Sequence, residues 1–483
     1  MSFISLTFAL FFLIFISLYH FVARFKKNPV LVQQILLLLA SFVFYAFADL
    51  RFLPFLVYTI AVSYISGLFL CIGGGKYSKA ILVLSIIAAT APLLFFKYSP
   101  ADWHTNIIFP LGLSFFTFQS ISYIADCYTK KIKSEKNLLN TALFISFFPV
   151  ISSGPIQRAQ NLIPQLKTIH HFDYDNATNG MKLFAWGMFK KLFVANRIAQ
   201  YVDYAYANAS ETYATTLLLA TILYSFQIYC DFSAYSDMAI GAARYMGFDT
   251  GKNFDHPYLS QSVGEFWKRW HISLSSWLRD YVYIPLGGSR VALPRIYANL
   301  LITFLVSGIW HGSTWSFVVW GLIHGLYQCI GRAAKPLLEK LKLPSFVKIL
   351  VTFCLVTFAW IFFRAENLST ATTIIKKFIE IPQDIAEFFT LKVSIGLKES
   401  IKTLFSLNAE SCGFIPGMLK ILAPLFIFAV ASIITYKKEG LVLVKKLPLV
   451  VRWILYITLV WVLFAFLLDS GSSYSTNFIY QNF

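Results

Sequence analysis

The chain has 483 residues, of which 57% are hydrophobic and 13% are charged. The mean hydropathy of +0.64 excludes an ordinary water-soluble protein and indicates a protein with many membrane segments. The formal net charge of +18 would suggest nucleic-acid binding in a soluble protein. Here the basic residues lie in loops between apolar runs, where the positive-inside rule accounts for them, and no nucleic-acid partner is expected.

Apolar runs of spanning length recur along the chain. The predicted segments are 4–21, 32–47, 55–72, 80–96, 107–123, 138–151, 183–202, 215–235, 299–309, 316–330, 349–363, 418–434 and 454–468. Several of them are short or interrupted. We therefore predict an all-α integral membrane protein with about 11–14 helices, some of them re-entrant or interfacial.

Positive charges follow the first, third and fifth predicted segments, at 24–27, 76–79 and 130–136, and the intervening loops carry few. A basic stretch at 437–446 precedes the last segment. By the positive-inside rule, both termini are expected outside the cytoplasm. The first apolar run lacks the basic flank and the cleavage site of a signal peptide, so we interpret it as a retained span.

The pattern predicts one membrane domain, 1–483, with four regions. Residues 1–150 form plain spans, and 152–325 alternate apolar runs with polar, Gly- and Trp-bearing stretches, where we expect the site. Residues 365–417 are less hydrophobic and indicate an interfacial insert, and 418–483 contain the last spans and an external tail. No internal repeat is visible, which disfavours a transporter built from inverted repeats. The six cysteines lack metal-binding spacing, so we expect neither a metal site nor a disulfide framework.

His311 lies in Ser307-Gly-Ile-Trp-His-Gly-Ser-Thr-Trp315, within a run, 296–328, that has one other histidine and no Asp, Glu, Lys or Arg. Ionisable groups at membrane depth are costly and usually functional, and imidazole suits proton transfer near neutral pH. His311 is therefore the candidate catalytic residue. The other histidine, His324, would lie about 20 Å away along one continuous helix. We therefore expect His324 to be structural and not to share a metal ion with His311.

A second candidate histidine lies in the stretch 265–280. At helical spacing, Trp267, Trp270, His271 and Trp277 share one face, which predicts an amphipathic helix with His271 on its buried side. The alternative is an interfacial helix whose histidine is a satisfied core residue.

Two further polar stretches are candidates. Asp231 and Asp237 interrupt an apolar run; six residues apart on a helix they face different ways and form no carboxylate pair. They either contact substrate or bond backbone at a broken helix. The stretch 147–158 predicts a bend that ends at Arg158. Arg158 is either a phosphate or headgroup contact or a plain interfacial arginine.

Together these stretches resemble the membrane-bound O-acyltransferase family. The branch concerned contains the bacterial membrane subunits of alginate and peptidoglycan O-acetyltransferases and of teichoic acid D-alanylation. The matching motifs, in chain order, are Ser153-Gly-Pro-Ile-Gln-Arg158, Asp231-Phe-Ser-Ala-Tyr-Ser-Asp237, Asn253-Phe-Asp-His-Pro-Tyr258, Glu265–Asp280, Trp310-His-Gly and Trp320-Gly-Leu-Ile-His-Gly325.

The resemblance implies a ring of helices around a thinned centre, where a cytosolic tunnel for the acyl donor meets a funnel from the opposite side. His311 matches the family's essential histidine and would act as general base on an acceptor hydroxyl that attacks a thioester. His271 matches a second polar site residue; it, or an amide near Gly312, would stabilise the oxyanion. The expected substrate-binding residues are Arg158, Asp231, Trp267 and Trp310.

The C-terminal residues 477–483 resemble an aromatic F-x-Y-x-x-F ending found in related systems. Tyr480 matches a tyrosine proposed to accept the acyl group transiently. Asn477 stands where some relatives double the first Phe, so the match is incomplete. The alternative is an aromatic anchor at the membrane interface.

The implied function is transfer of an acetyl group from cytosolic acetyl-CoA across the bacterial inner membrane, for O-acetylation of an extracytoplasmic polysaccharide such as alginate or peptidoglycan. No bound cofactor is expected. The expected partner is a separate periplasmic O-acetyltransferase of SGNH or similar type, since no sizeable soluble domain with a Ser/His/Asp arrangement is visible. The alternatives are transfer of D-alanyl or a longer acyl group, a transporter or channel, and a scaffold for a secretion complex.

Overall fold

The computed structural model describes residues 1–25, 27–72, 77–99, 109–395, 414–436, 444 and 446–469. Within these ranges every regular element is helical. The helices are α1 Leu6–Val22, α2 Pro29–Ala46, α3 Leu53–Ile72, α4 Ser78–Tyr98, α5 Leu113–Tyr128, α6 Leu138–Ser146, α7 Ala159–Leu166, α8 Tyr174–Phe189, α9 Asn196–Ala207 and α10 Ala214–Tyr245. They continue as α11 Val263–Arg269, α12 Ile272–Leu278, α13 Leu293–His311, α14 Trp315–Lys340, α15 Ser345–Arg364, α16 Leu368–Lys377, α17 Ile381–Ile395, α18 Phe414–Thr435 and α19 Leu449–Asp469.

Among the described residues, six helical stretches are long and apolar enough to cross a membrane: α2, Leu50–Cys71 with α3, α4, α10, α13 and α15. The all-α, multi-pass prediction is confirmed. The predicted segments 138–151 and 183–202 are not single long helices: the first is the short α6, and the second consists of the end of α8, a π-helical turn at Lys190–Ala195 and part of α9.

The long helix α10 forms the centre of the described core, because it is buried along most of its length. Its closest neighbour is α8, and glycines allow the approach. A Cβ on Gly180 would lie 2.5 Å from the backbone oxygen of Gly241, and one on Gly187 would lie 2.6 Å from that of Ala234. Small residues let the two backbones touch, as is common between membrane helices.

The stretch 265–280 does not form the single helix that its periodicity predicted. It divides into α11 and α12, and His271 at the junction adopts a left-handed backbone conformation with φ of 43°. The predicted burial is nevertheless right, since Trp267, Trp270, His271 and Trp277 are all buried. Because of the break, His271 lies at an irregular junction between two short helices.

The separation of about 20 Å that one continuous helix would give His311 and His324 does not apply, because the helix breaks between the predicted segments 299–309 and 316–330. The chain turns between α13, which ends at His311, and α14, which begins at Trp315, and the two helices pack antiparallel. A Cβ on Gly308 would lie 2.3 Å from the backbone oxygen of Phe317, and one on Gly321 would lie 2.4 Å from that of Phe304. Direct backbone contact therefore brings α14 back along α13, and the ring of His324 lies 6.1 Å, centroid to centroid, from that of Phe304.

Candidate active site

Three buried histidines from separate elements meet around a shared set of indole rings. The exposed fractions of His271, His311 and His324 are 0%, 3% and 0%. The ring of Trp320 lies 5.0 Å, centroid to centroid, from both His311 and His324. The ring of Trp310 lies 4.6 Å from that of His311 and 6.5 Å from that of His271. The structure thus brings the two predicted histidines together and adds His324, which we had expected to be structural.

His311 is enclosed by aromatic side chains that meet it edge to face. Besides Trp310 and Trp320, the ring of Phe363 on α15 lies 5.1 Å from the imidazole centroid at an interplanar angle of 74°. Such T-shaped contacts fix the orientation of a ring as well as burying it. A buried imidazole held in one orientation at the end of a helix suits proton transfer at a defined point.

The hydrogen bonds of His271 define its tautomer. Its Nδ1 lies 3.1 Å from Asn253 Oδ1, which also accepts hydrogen bonds from the backbone N–H and the hydroxyl of Ser273 at 3.3 and 2.9 Å. Because that atom accepts from Ser273, it is an oxygen, and His271 Nδ1 must donate to it. Burial lowers the pKa of His271 to about 3, so the ring is neutral near pH 7. The Nε2 of His271 then offers a lone pair.

The tautomer of His324 is the opposite one. The indole N–H of Trp267 donates to His324 Nδ1 at 3.2 Å, and an indole nitrogen can only donate. A neutral His324 therefore carries its proton on Nε2. Trp267, which the sequence predicted as a substrate-binding residue, therefore orients the ring of His324 within the site.

Five of the buried polar atoms that lack a hydrogen-bond partner in the described part of the chain lie at this site. They are His271 Nε2, His324 Nε2, Trp310 Nε1, Trp320 Nε1 and Ser307 Oγ. Each such atom costs free energy unless something pairs with it. A cluster of one acceptor and several donors beside His311 is therefore suited to a polar ligand. Among the described residues, no group of three His, Cys, Asp or Glu side chains is arranged to hold a metal ion.

Arg158 lies in a second polar cluster. It is the N-cap residue directly before α7, its guanidinium lies 4.6 Å from the centroid of the Tyr281 ring, and its Nη2 lies 3.7 Å from Asp280. The Tyr281 hydroxyl donates to Asp126 at 2.9 Å. Both terminal nitrogens of Arg158 are buried without a hydrogen-bond partner in the described ranges. The arginine is positioned by stacking and keeps donors available for an anion.

Asp231 forms a buried ion pair. Its carboxylate lies 2.6 Å from Lys191, and Asp237 lies 2.8 Å from Lys190, which also donates to Ser233 at 2.7 Å. The helix α10 is continuous here, so the alternative of a helix break at these aspartates was wrong. The irregularity lies instead in the π-helical turn that carries both lysines. This pairing favours a structural role for Asp231, and its substrate contact stays a prediction.

Lys97 also lies at the site, and the sequence analysis missed it. The last two residues of α4, Lys97 and Tyr98, donate hydrogen bonds to the backbone oxygens of Trp310 and Ile309. The available signal for Lys97 was a lone cation directly after the predicted segment 80–96, in an apolar stretch with no other charge up to residue 101. The signal for His324 was the G-x-x-x-G spacing at Gly308 and Gly312 and again at Gly321 and Gly325, which is typical of close helix contacts.

Tyr480 and the rest of the C-terminal tail lie outside the described residues.

Known proteins are similar in sequence to this chain over most of its length. The pattern of the MBOAT, membrane-bound O-acyltransferase, family matches residues 6–370. The "Peptidoglycan O-acetyltransferase" of Helicobacter pylori is 35% identical over 399 residues, covering 74% of this chain and 76% of that protein. The "Probable alginate O-acetylase AlgI" of Pseudomonas aeruginosa is 38% identical over 384 residues, covering 75% and 71%.

A more distant relative has a different acyl group in its name. The "Teichoic acid D-alanyltransferase" of Bacillus subtilis is 29% identical over 306 residues, covering 58% of this chain and 77% of that protein. The resemblance inferred from the motifs is confirmed by the family match. This chain belongs to the membrane-bound O-acyltransferase family and is a multi-pass membrane O-acyltransferase.

Proposed function

We propose that the enzyme transfers an acetyl group from cytosolic acetyl-CoA, across the inner membrane, for O-acetylation of an extracytoplasmic polysaccharide, with His311 as general base. The observation that carries this proposal is the buried, aromatic-clamped imidazole of His311 beside a cluster of unpartnered polar atoms. The names of the relatives, an alginate O-acetylase and a peptidoglycan O-acetyltransferase, support acetyl as the group and an envelope polysaccharide as the acceptor.

In the proposed reaction, an acceptor hydroxyl attacks the thioester carbonyl while His311 takes the hydroxyl proton. The C–S bond then breaks, and His311 returns the proton to the departing thiolate, so that an ester and a free thiol are formed. Proton transfer by a positioned side chain contributes roughly 10²–10⁴-fold to such rates. The acceptor hydroxyl belongs to the polysaccharide, or to a protein group that relays the acetyl outward.

The tautomer of His271 indicates which of the expected roles it can have. A neutral His271 presents a lone pair at Nε2 and therefore fits an acceptor for the attacking hydroxyl better than an oxyanion donor. The Gly312 amide, the other expected oxyanion donor, already donates to Gly308 at 3.3 Å. The indole N–H groups of Trp310 and Trp320 are buried donors beside His311, and we assign the oxyanion to this side of the site.

Arg158 is proposed to bind a phosphate of the acyl donor. Its cluster includes Asp126, which pairs with Lys131 at 3.7 Å, and Lys131 lies in the basic loop that the positive-inside rule places in the cytoplasm. Acetyl-CoA carries phosphate groups, and a stacked guanidinium with available N–H donors suits them.

The remaining parts of the proposal rest on sequence. Tyr480 is the proposed transient acyl acceptor, both termini are placed in the periplasm, and a separate SGNH-type transferase is the proposed partner that passes the acetyl group to the polysaccharide. A second candidate function is D-alanyl transfer, which the teichoic acid D-alanyltransferase relative favours. The higher identity to the two acetylating relatives makes acetyl our first choice.

The first experiment compares alkali-released acetate from fractionated envelope polysaccharides of cells that express wild type or His311→Ala. A matched control is His171→Ala, since His171 is exposed outside the predicted spans. We expect acetate to fall by at least about 100-fold in one fraction with His311→Ala and to stay unchanged with the control. Unchanged acetate in every fraction, at equal protein level, would contradict the proposal. Loss of ester-linked D-alanine instead would favour the second candidate.

A further inference from the structure

The end of α4 is joined to the end of α13 at the residues that precede His311. Lys97 and Tyr98 are the last two residues of α4. They donate to the backbone oxygens of Trp310 and Ile309, which lie one and two residues before His311. The contact links parts of the chain that are 213 residues apart.

Helix α13 needs such partners at this point. The last carbonyls of a helix have no partner within it, and α13 ends at His311, after which Gly312 is extended. The Gly312 amide bonds the oxygen of Gly308, while Lys97 and Tyr98 bond the next two oxygens. A cation at the carboxyl end of a helix is also favoured by the helix dipole.

The location of Lys97 in an apolar stretch indicates that its hydrogen bond to Trp310 has a specific role. Lys97 is the sole Asp, Glu, Lys, Arg or His in 80–101, and an ammonium group in such an apolar stretch is costly. Its Nζ also lies 5.9 Å from the centroid of the Trp310 ring, the ring that separates His311 from His271. The charge therefore faces the site.

We propose that Lys97 and Tyr98 are positioning residues that hold the last turn of α13, and thereby fix the orientation of the His311 ring between Trp310 and Trp320. This inference rests on the proposed role of His311 as general base. Since a displacement of about 1 Å can cost 10²-fold in rate, the pair matters for turnover without contacting the substrate. Loss of the pair should lower kcat and leave the affinity for the donor unchanged.

Four variants of the full-length protein test the proposal. Lys97→Met removes the ammonium and keeps the chain length, Lys97→Arg keeps a cationic donor, and Tyr98→Phe removes the hydroxyl alone. The matched control is Lys79→Met, because Lys79 is an exposed lysine at the other end of the same helix. Membranes from cells that contain each variant and the native periplasmic transferase are supplied with acetyl-CoA over a range of concentrations. The release of free thiol and the acetyl ester formed on the envelope polysaccharide are measured.

We expect kcat to fall about 10–100-fold in Lys97→Met with KM for acetyl-CoA unchanged. Lys97→Arg should recover most of that loss, and Tyr98→Phe should lose about 3–10-fold, as for the loss of one hydrogen bond. Lys79→Met should match wild type. Thermal unfolding of each variant shows whether the fall in kcat is accompanied by a fall in protein stability.

Three outcomes would overturn the inference. The first is a wild-type kcat in Lys97→Met. The second is a raised KM with unchanged kcat in Lys97→Met, which would make Lys97 a donor-binding residue. The third is a Lys97→Arg variant that is as inactive as Lys97→Met. If Lys97→Met does not accumulate, Tyr98→Phe decides, and wild-type kcat there counts against the pair. Full turnover in His311→Ala would instead contradict the proposed function itself, and so the two failures are distinguishable.

Discussion

The side-chain oxygen of Asn253 lies 3.1 Å from Nδ1 of His271 and sets which ring nitrogen of this histidine carries the proton. Asn253 is itself buried, and it belongs to the Asn253–Tyr258 motif. Because His271 has a strained, left-handed backbone with φ of 43°, its position is maintained by surrounding contacts rather than by helix propensity. Asn253 is therefore part of the site through His271.

Replacing Asn253 with Ala should lower turnover about 10–100-fold, by analogy with the loss of other groups that orient a site histidine. Asn253→Asp keeps an acceptor oxygen and should retain more activity than Asn253→Ala. Envelope acetate at matched protein level is the measurement. Equal activity in Asn253→Ala and wild type would show that the tautomer of His271 is unimportant.

The bond from Trp267 to His324 predicts a stability effect. Trp267→Phe keeps an aromatic ring but leaves His324 Nδ1 without its donor, which should cost about 1–3 kcal/mol. Trp453→Phe is the control, because Trp453 is 57% exposed on α19. Thermal unfolding in detergent should show a lower Tm for the first variant alone. Equal Tm values would indicate that the bond contributes little.

Backbone contact between α13 and α14 makes Gly321 sensitive to size. The Cβ of a valine there would lie about 2.4 Å from the Phe304 backbone oxygen, so the helices must separate. We expect at least about 2 kcal/mol of destabilisation and loss of transfer activity. Gly331→Val, on the same helix with nothing within 4 Å of its Cβ, should be tolerated. A fully active Gly321→Val would show that the helix contact can relax.

Variants of the Asp231–Lys191 ion pair distinguish a structural role of Asp231 from a role in substrate binding. Asp231→Asn leaves a buried lysine without its carboxylate and should destabilise the protein by about 3–5 kcal/mol. The double variant Asp231→Leu with Lys191→Met should recover much of the stability. If it also recovers acetyl transfer, the carboxylate is structural, whereas a stable but inactive double variant would support the substrate contact.

Arg158 is predicted to act on donor binding. Arg158→Gln should raise KM for acetyl-CoA about tenfold, equivalent to ~1.4 kcal/mol, with little change in kcat. Arg290→Gln, an exposed arginine, is the control. If kcat falls and KM stays constant, Arg158 supports the fold or the chemistry and does not bind the donor.

Local patterns in the sequence predicted the helical class and the buried face of 265–280, because hydrophobic periodicity depends only on which side chains leave the solvent. They did not predict the break at His271, since a left-handed residue that is not glycine leaves no mark in that periodicity. The interruption after His311 lies between the predicted segments 299–309 and 316–330, but no local pattern showed that the two helices pack so closely that His324 joins the site. The contact between Lys97 and Trp310 joins distant segments, and no local pattern indicates such a pair.

The glycine contact between α13 and α14 has a consequence for engineering. Helices that touch through their backbones resist sliding past one another, so we expect the spacing of His311 and His324 to stay the same whichever acyl donor is bound. Selectivity for acyl-chain length must then come from other elements that face the imidazoles. Phe363 on α15, 5.1 Å from the His311 ring centroid, and Phe115 on α5, 6.3 Å from that of His271, are the side chains to shorten for a longer donor.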